Sequence, residues 1–364
     1  RERTLADFLA ERLLTQKNSL MRFDVESMRA DTPEGCGVPQ NLFFSWGAPK
    51  VIFCSHLDTV PPYIAPHIDG SMATGRGTCD AKGQIFAMWE ACKAMEDMGM
   101  TDFGLLLLAG EETGSFGAKA FNSVISTSSS VISSEAEISP DAWVIVGEPT
   151  DNCMATAEKG TKSYDVTFSG KSCHSGYPEL GASAIMYFND FVNALRSIVF
   201  PVDEVLGETT WNIGDLVSAN PQNILSDRLT CRIYFRTTFE SDEMVRNIMK
   251  NIAGPDARLR FGRPAVQDGS DIVAKSVAPW QEAMSVNLRG GDAPTRFEVL
   301  DGFPVKAVAF GSDAPQLKCF RRKILCGPGS ILVAHRPEEH ILLKDIEDAI
   351  NNYIRIYTDI IRKQ

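Results

Sequence analysis

The sequence lacks a membrane-spanning run: no apolar stretch in its 364 residues approaches the ~20 needed to cross a bilayer. It also lacks any C-x-x-C pair. Its nine cysteines, an odd number, exclude a disulfide framework and read as free thiols in a reducing compartment. Positive charge is in deficit, with 36 Lys and Arg against 47 Asp and Glu and a net charge of -11. That balance excludes nucleic acid and anionic membrane as partners, since both demand clustered cations. No charged-then-apolar signal pattern opens the sequence, so a cytoplasmic protein is expected. Internal repeats and long low-complexity segments are absent. So are a Gly-x-Ser-x-Gly elbow and a P-loop, which removes a nucleophilic serine and a phosphate cradle from the first-choice chemistries. Histidine is scarce too, with only five in the chain.

What is present is a set of acids and histidines placed just after short apolar runs. Val51-Ile52-Phe53-Cys54 leads into Ser55-His56-Leu57-Asp58. Leu105 to Leu108 leads into Gly110-Glu111-Glu112, and Trp143-Val144-Ile145-Val146 into Gly147-Glu148-Pro149. Ile324-Leu325 precedes Gly327-Pro328-Gly329, with His335 beyond. Short continuous apolar runs bounded by Gly and Pro predict buried strands of an α/β sheet. In such sheets the site lies outside the carboxyl ends of the strands. His56, Asp80, Glu111, Glu112, Glu148 and His335 are therefore expected to converge on one crevice, as a metal site of a hydrolase.

Helical spacing predicts an N-terminal helix around Leu5, Phe8, Leu9 and Leu13, a helix over Lys82 to Met98, and a last helix carrying Ile346, Ile350, Tyr353, Ile354, Tyr357 and Ile361. Ser126 to Ser134 reads as a surface loop. The middle of the chain differs. Lys162 to Phe168 and Leu229 to Phe235 alternate like half-buried strands, Ala182 to Val199 and Ser241 to Ala253 read as helices, and Arg258 to Phe261 as a last short strand. That β-α-β-β-α-β order is ferredoxin-like with an antiparallel sheet. The expected organisation is an α/β domain over 1–158 and 265–364, with its mixed, mainly parallel sheet flanked by helices. An inserted α+β domain covers 159–264.

Each candidate has a chemical reason and a plainer alternative. His56 and Asp58 sit at i and i+2, so on an extended strand exit both side chains point the same way, and Asp58 suits the carboxylate that fixes a ligating imidazole's tautomer. Asp80 at a helix entrance serves either as an N-cap or as a carboxylate spanning two ions. Glu111 and Glu112 are adjacent acids that repel unless a cation or proton is shared; one binds metal while its neighbour takes the proton of a polarised water. Glu148 and His335 are weak alone and gain from the company. Cys79 reads as a small buried side chain beside Asp80. In the insertion, His174 suits an oxyanion donor, Asn223 an acyl-oxygen donor, and Arg236 a bidentate clamp on a substrate carboxylate; surface solvation competes for the last two.

Taken in order, Ser55-His56-Leu57-Asp58-Thr59-Val60-Pro61, Gly75-Arg76-Gly77 through Asp80-Ala81-Lys82-Gly83, Gly110-Glu111-Glu112, Gly147-Glu148-Pro149-Thr150, Cys173-His174-Ser175, Gly311-Ser312-Asp313-Ala314 and Gly327-Pro328-Gly329 through Ala334-His335 resemble the di-zinc amidohydrolase and peptidase family of acetylornithine deacetylase, succinyl-diaminopimelate desuccinylase, glutamate carboxypeptidase and aminoacylase. The resemblance implies a zinc-peptidase-like catalytic domain with an inserted dimerisation (lid) domain, and a homodimer. It implies two Zn2+ per subunit, replaceable by Co2+ or Mn2+. His56 and Glu148 would hold one, Glu112 and His335 the other, and Asp80 would bridge. Glu111 would be the general base and Asp58 the partner of His56. His174 would reach the partner subunit's site, and Asn223 and Arg236 would bind substrate. Where the family often reads Asn-Val-Ile-Pro, this chain has Asn223-Ile224-Leu225-Ser226. The activity expected is hydrolysis of an N-acyl amino acid, N-acetylornithine first, in arginine biosynthesis. A desuccinylase, an N-acetylcitrulline deacetylase, a dipeptidase and a silent amino-acid-binding homologue are the alternatives.

Overall fold

The computed structural model describes residues 2–33, 36–127, 138, 141–255, 257–259 and 277–363. They form two compact units. The first comprises Arg1–Glu158, Thr295–Val308 and Ser312–Gln364; the second comprises Lys159–Pro294 and Ala309–Gly311.

The first unit is built on a six-stranded sheet in the order Ser19–Asp24, Gln40–Trp46, Phe103–Leu108, Val51–His56, Trp143–Val146, Arg322–Leu325. The first three pair antiparallel, and from Phe103–Leu108 onward every pairing is parallel. The parallel strands are short apolar runs because both faces are covered; Val51–His56, Phe103–Leu108 and Trp143–Val146 are buried at every position. Helices Lys82–Asp97 and Leu343–Arg362 share one core with the sheet, in which Phe44, Phe53, Met88, Leu105 and Tyr353 are fully buried. The predicted last stripe is the inward face of that helix, with Ile346, Tyr353 and Tyr357 buried. Tyr353 stacks edge-on against Phe53 with centroids 5.4 Å apart and donates its hydroxyl to the Cys326 carbonyl at 3.0 Å. This mixed sheet flanked by helices is the architecture the sequence predicts. Among the described residues no helix is long and apolar enough to cross a membrane.

Two three-stranded sheets complete the unit. One has Met72–Thr74 between His67–Asp69 and His340–Leu342, both antiparallel to it. In the other, Met154–Glu158 pairs in parallel with Val305–Val308 and antiparallel with Thr295–Arg296, with Thr295 opposite Glu158.

The second unit is a four-stranded antiparallel sheet in the order Thr210–Val217, Arg228–Thr237, Gly160–Ser169, Met284–Gly290. Gly160–Ser169 alternates buried and half-buried along most of its length, the signature of one covered face. Helices Ala184–Arg196 and Asp242–Asn251 supply that cover, and Phe168, Phe191, Phe235, Ile248 and Trp280 close the core.

The expected insertion of 159–264 stops short. The unit extends to Pro294, because its sixth element is Met284–Gly290, paired along Gly160–Ser169. Arg258 and Leu259 are not in a strand, and the rest of the expected strand at 258–261 lies outside the described residues. The expected loop over 126–134 opens inside helix Phe116–Thr127, and its remainder lies outside the described residues.

Candidate metal centre

Four of the parallel strands deliver side chains to one edge of the sheet. His56 is the last residue of its strand and is buried. Its Nε2 lies 3.0 Å from Asp80 Oδ1 and 4.0 Å from Glu148 Oε1. Its Nδ1 lies 3.3 Å from Asp58 Oδ1, a charge contact rather than a hydrogen bond. Asp58 also accepts the backbone N–H of Glu111 at 3.1 Å and of Glu112 at 2.9 Å. One carboxylate thus faces the imidazole and holds the turn that carries the acidic pair.

Asp80 is not a helix cap. Ala81 occupies the N-cap of Lys82–Asp97, and no side chain caps it. The two oxygens of Asp80 instead face two different imidazoles, Oδ1 that of His56 and Oδ2 that of His335 at 3.1 Å. His335 has a backbone φ of +62°, in the left-handed region sparsely used by non-glycine residues. Its Nε2 also lies 3.1 Å from Glu112 Oε1. Two groups capable of holding a metal ion result, His56–Asp80–Glu148 and Asp80–Glu112–His335, with the ligand atoms of each within 4.8 Å of one another. The first is buried throughout, while His335 in the second is half exposed.

The electrostatics fit such ions. Burial pushes the Glu148 carboxyl well above the usual range, against the pull of His56. Burial does the same to Glu111, again opposed by His56 and reinforced by the neighbouring acids Asp313, Glu112 and Asp58. A carboxyl raised in this way suits a general base working near neutrality. Burial also opposes ionisation of Asp80, yet hydrogen bonds from His335 and His56 hold it below its ordinary value. The imidazoles move the other way. His335 is pushed up to about 10 by its hydrogen bonds to Asp80 and Glu112. Burial opposes a charge on His56, but Asp58 and Asp80 outweigh it. Acids crowded in a buried pocket, compensated by protons on two imidazoles, form a site whose protons divalent cations can replace; imidazole and carboxylate are the donors that Zn2+ accepts.

The remaining predicted residues are not among these donors. Cys79 is buried, its thiol faces the Ser330 carbonyl at 3.4 Å, and burial pushes its pKa up, so it is an inert packing residue. In the second unit His174 is exposed and its Nδ1 accepts the Gly176 N–H at 3.1 Å. The loops of His174 and Asn223 are pinned together, since Ser175 N–H donates to the Asn223 carbonyl at 2.9 Å and His174 bridges Ile224. Arg236 does not join them. It lies near the far end of Arg228–Thr237, opposite Thr161, with its guanidinium 4.9 Å from the Tyr234 ring centre. Arg236 lies eight steps along the strand from Arg228, where the Asn223 loop enters; at ~3.4 Å per step that is about 27 Å.

Two residues escaped the sequence reading. Gln84 donates to the carbonyls of Cys79 and Pro328 at 3.0 and 2.7 Å, tying the Asp80 turn to the turn before His335. Glycine is required opposite it: a Cβ on Gly327 would lie 2.1 Å from Gln84 Oε1 and 2.7 Å from the Glu148 carbonyl. The second is Glu339, whose Oε1 accepts the Asp80 N–H at 3.2 Å. Neither stands at a strand exit, the position that marks His56, Glu111, Glu112 and Glu148.

A model of peptidase family M20/M25/M40 matches residues 52–363. A protein of Aspergillus terreus named "Probable carboxypeptidase" is 30% identical over 98% of this chain and 81% of its own length. A "Peptidase M20 domain-containing protein" of Schizosaccharomyces pombe is 31% identical over 84% of this chain and 68% of its own. Among solved structures, a tripeptidase of Staphylococcus aureus superposes with a TM-score of 0.71 at 18% identity, covering 98% of this chain and 92% of that one. An M20 family metallo-carboxypeptidase of Sulfolobus solfataricus superposes with a TM-score of 0.64 at 15% identity, covering 97% and 93%.

Proposed function

The chain belongs to peptidase family M20/M25/M40 and is a metallohydrolase of linear amides; from that premise we propose that it binds two divalent cations, zinc by preference, and cleaves small peptides or N-acyl amino acids that carry a free carboxylate. The observation that carries this reading is Asp80, whose two oxygens face the imidazoles of two different donor groups. Carboxylate bridging of this kind suits a pair of ions ~3.5–4 Å apart.

His56 and Glu148 would hold one ion and Glu112 and His335 the other, with Asp80 common to both. The ions supply polarisation of the scissile carbonyl and a lowered water pKa. Glu111 takes the proton of the attacking water on its carboxylate and passes it to the departing amine. Asp58 orients His56 and fixes the backbone of Glu111. Arg236 pairs with the substrate carboxylate, Asn223 donates to the acyl oxygen, and His174 donates to the oxyanion. The distance between the Asn223 and Arg236 ends of the strand supports a homodimer in which His174 serves the partner subunit's site.

The names of these relatives favour a peptidase, a carboxypeptidase first, over the N-acetylornithine deacetylase expected from the motifs alone. The test is amine release by the metal-loaded chain from dipeptides, tripeptides, N-acetylornithine, N-acetylcitrulline and N-succinyl-diaminopimelate, with Glu111→Gln as the blank. Cleavage of peptides and not of acyl amino acids supports the peptidase reading. Cleavage of N-acetylornithine alone returns the substrate to the deacetylase class. No release from any member by a chain shown to hold metal overturns the catalytic reading.

A further inference from the structure

We infer that Glu339 is a positioning residue that sets the place of the shared carboxylate Asp80 relative to His335. The inference rests on the two-cation reading of the site. The Glu339 side chain is fully buried. Its Oε1 accepts three backbone N–H groups, from Gly77 at 2.8 Å and from Cys79 and Asp80 at 3.2 Å each. Its Oε2 faces the guanidinium of Arg76, itself buried. Its main-chain carbonyl accepts Gly75 N–H at 2.9 Å, and its own N–H donates to the Arg336 carbonyl at 3.3 Å. The turn that presents Asp80 is therefore wrapped around one residue, and that residue lies four positions after His335.

A buried carboxylate is tolerated only when its oxygens are satisfied, and backbone N–H groups converging on an anion form a concavity that holds its shape around it. The two oxygens divide the work. Oε2 balances the charge of Arg76, while Oε1 shapes the loop that ends in Asp80. Asp80 and His335 are two of the three donors in the half-exposed group, whereas of these two the buried group His56–Asp80–Glu148 includes Asp80 alone. Loss of the Oε1 acceptor should therefore weaken one ion more than the other.

The division of labour allows a clean test. Co2+ is titrated into the metal-free protein and followed by visible absorption, with folding checked by circular dichroism and thermal melting. Two double variants both remove the buried charge pair. Arg76→Met with Glu339→Gln keeps an oxygen for the N–H groups, and Arg76→Met with Glu339→Met does not. The Gln variant is expected to hold both equivalents within about threefold of the wild type, and the Met variant to bind one equivalent about 10–100-fold more weakly. Equal, wild-type binding by both overturns the inference, leaving Glu339 as a counter-charge alone. Should the Met variant fail to fold, Glu339→Asp carries the same question. A shorter carboxylate keeps its charge and draws back from the N–H groups; weakened binding of one equivalent supports the inference and unchanged binding overturns it. Wild-type protein that binds no Co2+ sinks the two-cation reading itself, and this inference with it.

Discussion

Asp58 accepts the backbone N–H of Glu112 through Oδ2 at 2.9 Å. A ligand candidate is thereby held through its main chain by the same carboxylate that stands beside His56 Nδ1. Geometry at one donor group is transmitted to the other without a side-chain contact between His56 and Glu112.

Asp58→Asn tests that link. The amide offers one acceptor oxygen and turns its NH2 toward a donor. Metal affinity should fall about 10–100-fold, and the unsatisfied buried N–H should cost about 1–3 kcal/mol of stability. Metal titration and denaturant unfolding measure the two effects; wild-type metal affinity in the variant would remove Asp58 from its orienting role.

Glu111→Gln preserves size and removes the base. Turnover should drop by about 10²–10⁴-fold, while the metal content of the purified protein stays unchanged. Turnover within a few-fold of the wild type, measured as amine release, would move the proton-transfer role to another group.

Metal binding should tighten as pH rises. In the metal-free chain His335, pushed up to about 10, and His56, raised by Asp58 and Asp80 against its burial, both carry protons near neutrality. A metal needs neutral imidazoles, so binding must release protons. Calorimetry in buffers of different ionisation enthalpy counts them; binding without net proton release contradicts the charge state assigned here. The sign for stability is the reverse. Protonated His335 stabilises the metal-free fold fully below its unfolded pKa of about 6.5, and the contribution is lost as pH climbs toward 10.

His174→Ala and Glu111→Gln, each inactive alone, should complement when mixed after co-unfolding and refolding. If His174 serves the partner subunit, one site in each mixed dimer has both groups, and about a quarter of wild-type activity returns. No recovery, with mixed dimers shown to form, places His174 in its own chain's site.

Gly327→Ala forces a methyl into Gln84 Oε1 and the Glu148 carbonyl. Overpacking of this order costs about 1–3 kcal/mol. The melting temperature should fall and metal should bind more weakly, because the displaced backbone belongs to Glu148. An unchanged melting curve would mean that the turn yields without strain.

Much of this arrangement was legible in the sequence because parallel strands announce themselves. Val51–His56 and Trp143–Val146 are apolar throughout since both faces are buried, and the residues just past each strand must point out of the sheet's edge. Four elements of the second unit were legible, two strands and two helices; strand Thr210–Val217 was given no range, and the last strand was misplaced. Its last strand carries the signal, with Met284, Val286 and Leu288 alternating with polar residues. However, Leu259 and Phe261 offer the same alternation closer to the preceding helix, and proximity favoured the wrong pair. Glu339 was illegible for a different reason. A glutamate next to Glu338 in a Pro-containing turn looks like solvated surface, and only the chain's return past residues 75–80 buries it. Such contacts across 259–263 positions have no periodicity to read.

The pairing of Thr295 with Glu158 has a topological consequence. Seen from the small sheet that holds this pair, everything from Lys159 to Pro294 is the connection of a single β-hairpin. The entropy of closing a connection grows only with the logarithm of its length, each doubling adding about 0.6 kcal/mol. The register of those two strands is accordingly almost indifferent to the length of the connection between them. Modules of different size could be exchanged at that junction over evolutionary time with the sheet beneath them left in place.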